Sequence, residues 1–258
     1  MRRFMTGALL AAVASLHPGA GRSAQSAESC LDVALVLTID ASASVSPEEF
    51  DLQRAGVATA FRNPDVLKAI SSAGRVAVSA VIWASEGLPK QRTGWIVIDG
   101  PRDAERFARV IETTPREVTG DTGLGAGLAA AMQQFNSLGQ CAVRKVINVS
   151  GDGADTPFVR LPRKWPAPSQ VKAIAEKQNV EINALAIINK EIDLPAYYAQ
   201  NVITGPDAFV MEIRSYSDVT TALQKKLIRE IAPRQVSGRT PEDDHSRRPA
   251  IVSEPPRT

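Results

Sequence analysis

Histidine is nearly missing from this chain: the two that occur, His17 and His245, stand close to its two ends. A Ser-His-Asp hydrolase needs a histidine within the fold, beside its nucleophile, and a histidine-rich zinc site needs several, so neither can be built here. Clustered cations are missing too. The 30 Lys+Arg against 28 Asp+Glu fall to 27 against 28 once Arg2, Arg3 and Arg22 at the N-terminus are set aside. A near-neutral chain without basic runs offers no electrostatic footprint for nucleic acid. Nor does any apolar run reach the roughly 20 residues that span a bilayer, so no membrane span is expected. Low-complexity bias is absent: 44% of the residues are hydrophobic and 22% charged, an ordinary globular composition.

Both ends differ from the middle. Arg2 and Arg3 precede a short apolar stretch, Met5 to Leu16, and small residues follow from Gly19 to Ala27. That order is the pattern of a secretory signal peptide over residues 1–27, which implies a periplasmic or secreted protein. Residues 28–232 then read as one domain of normal size. Beyond Ala232 the composition turns to Pro, Arg, Ser, Glu and Asp, and residues 233–258 read as a disordered tail with too little apolar area to fold. The only cysteines are Cys30 and Cys141. In an exported chain they are expected to pair as a disulfide, with two buried free thiols as the alternative.

The middle alternates strand and helix patterns. LDVALVLTI (31–39) is an almost unbroken β-branched run, as a strand buried on both faces requires. Ser46-Pro47-Glu48-Glu49 supplies an N-cap, a first-turn proline and a capping-box glutamate for the helix that follows. RVAVSAVIW (75–83), WIVI (95–98), VRKVINV (143–149) and VEINALAII (180–188) read as further strands, with Phe209 to Ile213 as an edge strand. Helices are expected after Pro101, over 123–138 and 170–178, near 194–199, and over 217–231. Such alternation implies an α/β fold with a doubly wound, mainly parallel sheet flanked by helices. In a 3-2-1-4-5-6 strand order the strands after Cys30 and Cys141 are neighbours, which puts both thiols at one bottom edge.

In open sheets of this kind ligands bind beyond the carboxyl ends of the strands, where strand order reverses. Asp40-Ala41-Ser42-Ala43-Ser44 follows the first strand: one carboxylate and two hydroxyls at alternate positions. Ser150-Gly151-Asp152-Gly153 follows the VRKVINV strand, and Thr122 precedes the helix over 123–138. Together they offer hard oxygen donors with limited negative charge, which suits Mg²⁺ or Ca²⁺.

Asp40-x-Ser42-x-Ser44, the later Thr122 and the apolar strand ending in Asp152-Gly153 resemble the metal-ion-dependent adhesion site of von Willebrand factor A domains. The resemblance runs from about Leu31 to Ile231. The phrases LQRAGVATAF, VINVSGDG, INALAI, YYAQNVITGPDAF and KKLIREIA look like an exported bacterial subfamily, a domain of unknown function. The resemblance implies a doubly wound fold of that type and a divalent cation, Mg²⁺ first, with Ca²⁺ or Mn²⁺ as alternatives. Ser42, Ser44 and Thr122 would hold it through hydroxyls, and Asp40 and Asp152 directly or through water. It further implies no enzyme but a protein-binding module, whose partner fills an open metal position with an Asp or Glu carboxylate. The family's second aspartate commonly follows Thr; here Ser150-Gly151 precedes Asp152.

Asp40 after an apolar strand also begins the nucleophile motif of haloacid-dehalogenase-like phosphohydrolases, the alternative reading. Those enzymes need a second Asp two residues on as general acid, where this chain has Ser42. Gly123-x-Gly125-x-Gly127 does not match the dinucleotide fingerprint, and close helix packing accounts for it better. Trp83 and Trp95 are expected to pack at strand ends, and Asp121 and Asp155 to be solvated loop residues.

Overall fold

The computed structural model describes residues 30–156, 164–188, 193–233 and, as backbone, 250–253. The signal-peptide reading over 1–27 lies outside these residues. The first buried run becomes β1 (Leu31–Asp40), covered on both faces apart from Asp32. Four strands align parallel to one another beside or beyond it: β2 (Val76–Trp83), β5 (Ala142–Gly151), β6 (Val180–Ile187) and β7 (Phe209–Ile213). Two short antiparallel pieces, β3 (Gln91–Arg92) and β4 (Ile96–Ile98), close the β2 side. The WIVI segment is thus an antiparallel border to the parallel sheet.

The far edge corrects the sequence reading. Phe209–Ile213 is not the last strand, because Ala250–Ser253 pairs parallel with it as β8. The order is β3-β2-β1-β5-β6-β7-β8, with β4 on β2. A four-residue apolar β-branched piece, AIVS, is too short to stand out in a polar tail. It gains strand geometry only because β7 presents a row of unpaired backbone groups. The rest of residues 234–258 lies outside the described residues.

Helices cover both faces. One face carries α1 (Pro47–Arg62), α2 (Pro64–Ala73), α3 (Pro101–Thr113) and α7 (Val219–Ile231), packed through Phe50, Phe61, Phe107 and Leu227. The other carries α4 (Leu124–Gln134), α5 (Pro168–Lys177) and α6 (Leu194–Asn201), packed on Trp83, Leu128 and Tyr198. The capping box of α1 forms as its residues require: Glu49 N–H donates to Ser46 Oγ, and Ser46 N–H to Glu49 Oε2 at 2.8 Å. Helix α2 is not anticipated by the periodicity. Asn63-Pro64 ends one helix and starts the next, and the Asn63 side chain accepts from Asp65 N and Val66 N.

At the bottom edge Cys30 and Cys141 are disulfide-bonded, with Cα atoms 4.8 Å apart, as adjacent strand starts allow. At the top, β1 and β5 end side by side, and the chain leaves them toward opposite halves of the sheet. That is the crevice where strand order reverses. Among the described residues no helix is long and apolar enough to cross a membrane.

Candidate metal centre

Asp40 is the last residue of β1 and is fully buried. Its Oδ1 accepts from Ser42 N–H at 2.7 Å, which curls the chain back and turns the Ser42 hydroxyl toward that of Ser44, 3.1 Å away. Ser44 Oγ in turn donates to Asp152 Oδ1 at 2.6 Å, just past the end of β5. Four of the five sequence-predicted residues are therefore joined in one continuous hydrogen-bonded cluster.

Thr122 arrives from a third segment. Its N–H donates to Thr156 Oγ1 and its carbonyl accepts from Thr156 N–H, both at 2.9 Å, which ties it to the loop carrying Asp152. Its side chain stands against Gly153: a Cβ built there would meet Thr122 Oγ1 at 3.4 Å. Gly151 is needed for the same closeness, since a Cβ at that position would lie 3.0 Å from Asp40 Oδ2 and 2.8 Å from the Tyr198 hydroxyl.

The remaining Asp40 oxygen decides what the cluster can do. Asp40 Oδ2 is buried and has no hydrogen-bond partner. Burial pushes its carboxyl up to about 7, against the opposing hydrogen bonds from Ser42, and the neighbouring Asp152 charge adds to the rise. Asp152 is raised for the same first reason, burial, with the Ser44 hydroxyl working against it. An unmatched buried carboxylate is costly unless a proton or a cation compensates it. The donors at hand are two carboxylates and three hydroxyls, all hard oxygens, so they fit Mg²⁺, Mn²⁺ or Ca²⁺. No group of three His, Cys, Asp or Glu gathers among the described residues, so hydroxyls have to supply much of any ligand set here.

Several supporting residues escaped the sequence reading. Gln53 is buried on α1 and donates from Nε2 to the Asp40 carbonyl at 3.0 Å. Its signal was a polar residue in register with Phe50 and Val57 on the buried helix face. Tyr198 donates its hydroxyl to Gly153 O at 3.2 Å. Tyr216 is buried at the head of α7, where burial, then the charges of Asp152, Asp40 and Glu49, push its phenol up. Asp155, read from sequence as a solvated loop residue, lies half-buried in a loop and also accepts from Gly125 N–H at 2.9 Å at the start of α4. Trp83 is fully buried and Trp95 half-buried, both packing as expected. The glycines of α4 allow close approach: a Cβ at Gly127 would lie 2.6 Å from the Trp83 ring, and one at Gly123 would lie 2.6 Å from Ala84 O.

The doubly wound sheet, with an aspartate and two serines leaving β1, a threonine before α4 and an aspartate after β5, has the fold of von Willebrand factor A domains. The chain belongs to the family described as "Protein of unknown function (DUF1194)", whose profile matches residues 29–235. Solved structures share the fold at low identity. Proximal thread matrix protein 1 from the mussel byssus is 17% identical with a TM-score of 0.56, the match covering 78% of this chain and 46% of that one. The pilus adhesin SpaC from Lactobacillus rhamnosus GG is 16% identical with a TM-score of 0.56, covering 78% and 30%. The vWF domain of the pili tip protein Mfa5 from Porphyromonas gingivalis is 12% identical with a TM-score of 0.51, covering 81% and 99%. This chain therefore spans less than half the length of the first two. The mussel protein is also known with a zinc-occupied MIDAS motif. No curated protein matches the chain.

Proposed function

We propose that the protein is an exported, divalent-cation-dependent protein-binding module. In this reading Asp40, Ser42, Ser44, Thr122 and Asp152 hold the cation, and a partner's Asp or Glu carboxylate completes its coordination. The observation that carries the reading is the buried, partnerless Asp40 Oδ2 beside the hydroxyls of Ser42 and Ser44. A cation there turns an electrostatic cost into a bond. The zinc-occupied motif of the mussel protein is in keeping with such a site on this fold, and the pilus proteins with a role in adhesion. With two carboxylates against a doubly charged ion, an incoming carboxylate still meets an attractive centre. Mg²⁺ keeps waters reluctantly given up, so one exchangeable water is the natural docking point. The module binds rather than turns over substrate: Ser42 occupies the position where a phosphohydrolase of the alternative type needs its general acid.

The reading extends to the chain's organisation. Residues 1–27 act as an export leader, and residues 28–232 form the binding domain, with β8 added at its sheet edge. The Cys30–Cys141 disulfide suits an oxidising periplasmic or extracellular compartment.

Thermal unfolding in EDTA and in saturating Mg²⁺, Ca²⁺ and Mn²⁺ tests the cation site. Wild type gains stability by mass action with at least one ion, by about 2.7 kcal/mol at a hundred times its Kd, and Asp40→Ala gains none. Equal responses of the two proteins would reject the site.

A further inference from the structure

The loop that carries Ser42 and Ser44 is held through two sets of atoms. Its Ser42 and Ser44 hydroxyls join each other and Asp152. The Ala41, Ser42 and Val45 carbonyls converge elsewhere, on a single group: Arg116 Nη2, at 2.9, 2.8 and 2.9 Å respectively. The same nitrogen lies 3.4 Å from Thr119 Oγ1, and the guanidinium stacks 5.4 Å from the centre of the buried Phe50 ring. The strap has a second bond, from Ala43 N–H to Gly120 O at 2.6 Å. Residues 116–120 lead directly to Thr122, so the strap joins the two hydroxyl-bearing segments to each other.

We propose that Arg116 is a positioning residue that fixes the Ser42–Ser44 loop in ligand geometry ahead of the ion, and that it thereby sets a preference for Mg²⁺ over Ca²⁺. The inference rests on the cation-site reading above. A planar cation sharing its hydrogens among three carbonyls organises the loop much as a bound ion would, through backbone oxygens rather than through the side-chain oxygens proposed for the ion. The backbone N–H groups of the loop are engaged as well: Ala41 with Trp83 O, Ser42 with Asp40 Oδ1, Ala43 with Gly120 O and Val45 with Ser42 O. Mg²⁺ demands near-ideal octahedral geometry with ligands at about 2.0–2.1 Å, so it would gain most from a loop fixed in advance. Ca²⁺ accepts six to eight ligands at about 2.3–2.6 Å and tolerates movement. Loosening the loop therefore penalises Mg²⁺ more than Ca²⁺.

The test is calorimetric titration of wild type, Arg116→Gln and Arg116→Lys with Mg²⁺ and, separately, Ca²⁺, alongside the melting temperature of each metal-free protein. Arg116→Gln is expected to lose Mg²⁺ affinity by about 10-fold or more, the size seen when groups supporting metal ligands are removed. Its Ca²⁺ affinity should change by no more than about 3-fold, because Ca²⁺ sites are flexible. Arg116→Lys keeps a cation but loses the fork, so its Mg²⁺ to Ca²⁺ ratio should fall between the other two. Should Arg116→Gln fail to fold, the ratio in Arg116→Lys still decides. Affinities for the two ions that fall together, or do not fall, overturn the role of Arg116 and leave the site standing. A wild type that binds neither ion overturns the site itself.

Discussion

Ser44 donates its hydroxyl to Asp152 at 2.6 Å across 108 residues of sequence. The bond joins the two loops that leave β1 and β5, so one proposed ligand residue aims another. Ser44→Ala removes a proposed hydroxyl ligand and the brace on Asp152 together. Mn²⁺ affinity measured by calorimetry should fall by at least about 10- to 100-fold, the loss expected when even a supporting group goes. The half-buried position of Ser44 keeps the change in metal-free melting temperature small.

Asp40 should make cation binding pH-dependent. Its carboxyl is raised from 3.8 to about 7 by burial, so near neutral pH an incoming cation competes with a proton. Metal affinity should weaken as pH falls below about 7, and binding near that pH should release a proton. The metal-free fold follows the opposite course. Because the folded state holds this proton more tightly than the unfolded chain, its stabilisation is complete in acid and is lost as pH rises from about 4 to about 7. Melting curves in EDTA should show that decline, and saturating Mg²⁺ should offset it at the neutral end.

On the buried face of α7 lies an ion pair, Lys226 Nζ to Glu230 Oε1 at 2.6 Å, with Asn148 Nδ2 donating to the other Glu230 oxygen at 2.6 Å. Burial lowers Lys226 to about 8 and raises Glu230, while each partner's charge opposes the shift of the other. Removing one partner strands the other, so Glu230→Ala should destabilise by about 3–5 kcal/mol. Lys226→Met with Glu230→Leu should recover most of that loss. Urea unfolding of wild type, the single variant and the double variant measures both effects.

Cys30 and Cys141 close a loop spanning a sequence separation of 111 residues. In the chain-entropy account such a closure stabilises by about 4–5 kcal/mol. The Cys30→Ser, Cys141→Ser double variant should therefore unfold at a markedly lower denaturant midpoint with an intact cation response, because the bond lies at the bottom edge and the cation site at the top.

Where an element depends on its own residues, the sequence announces it. The apolar runs of β1 and β5 need no partner to be recognised, and Asp40-x-Ser42-x-Ser44 falls directly at a strand end. The cysteine pair follows from the same strand order. What stayed hidden depends on distant partners. Arg116 meets carbonyls 71 to 75 residues away, and nothing around it in the sequence marks that contact. β8 is visible only through the edge of β7 that it covers. Helix α2 was obscured by a local cause, the Asn63-Pro64 break, which splits off a short ten-residue helix whose buried residues are Val66, Ala69 and Ile70.

Anomalous scattering from crystals grown in Mn²⁺ reads whether the five named residues hold a cation. One strong peak is expected at the top of β1 and β5, within about 2.0–2.3 Å of the Ser42 and Ser44 hydroxyls. Thr122, Asp40 and Asp152 should complete the set directly or through water, and the peak should vanish in Asp40→Ala. No peak at saturating Mn²⁺, or a peak bound by other residues, would contradict that cation site.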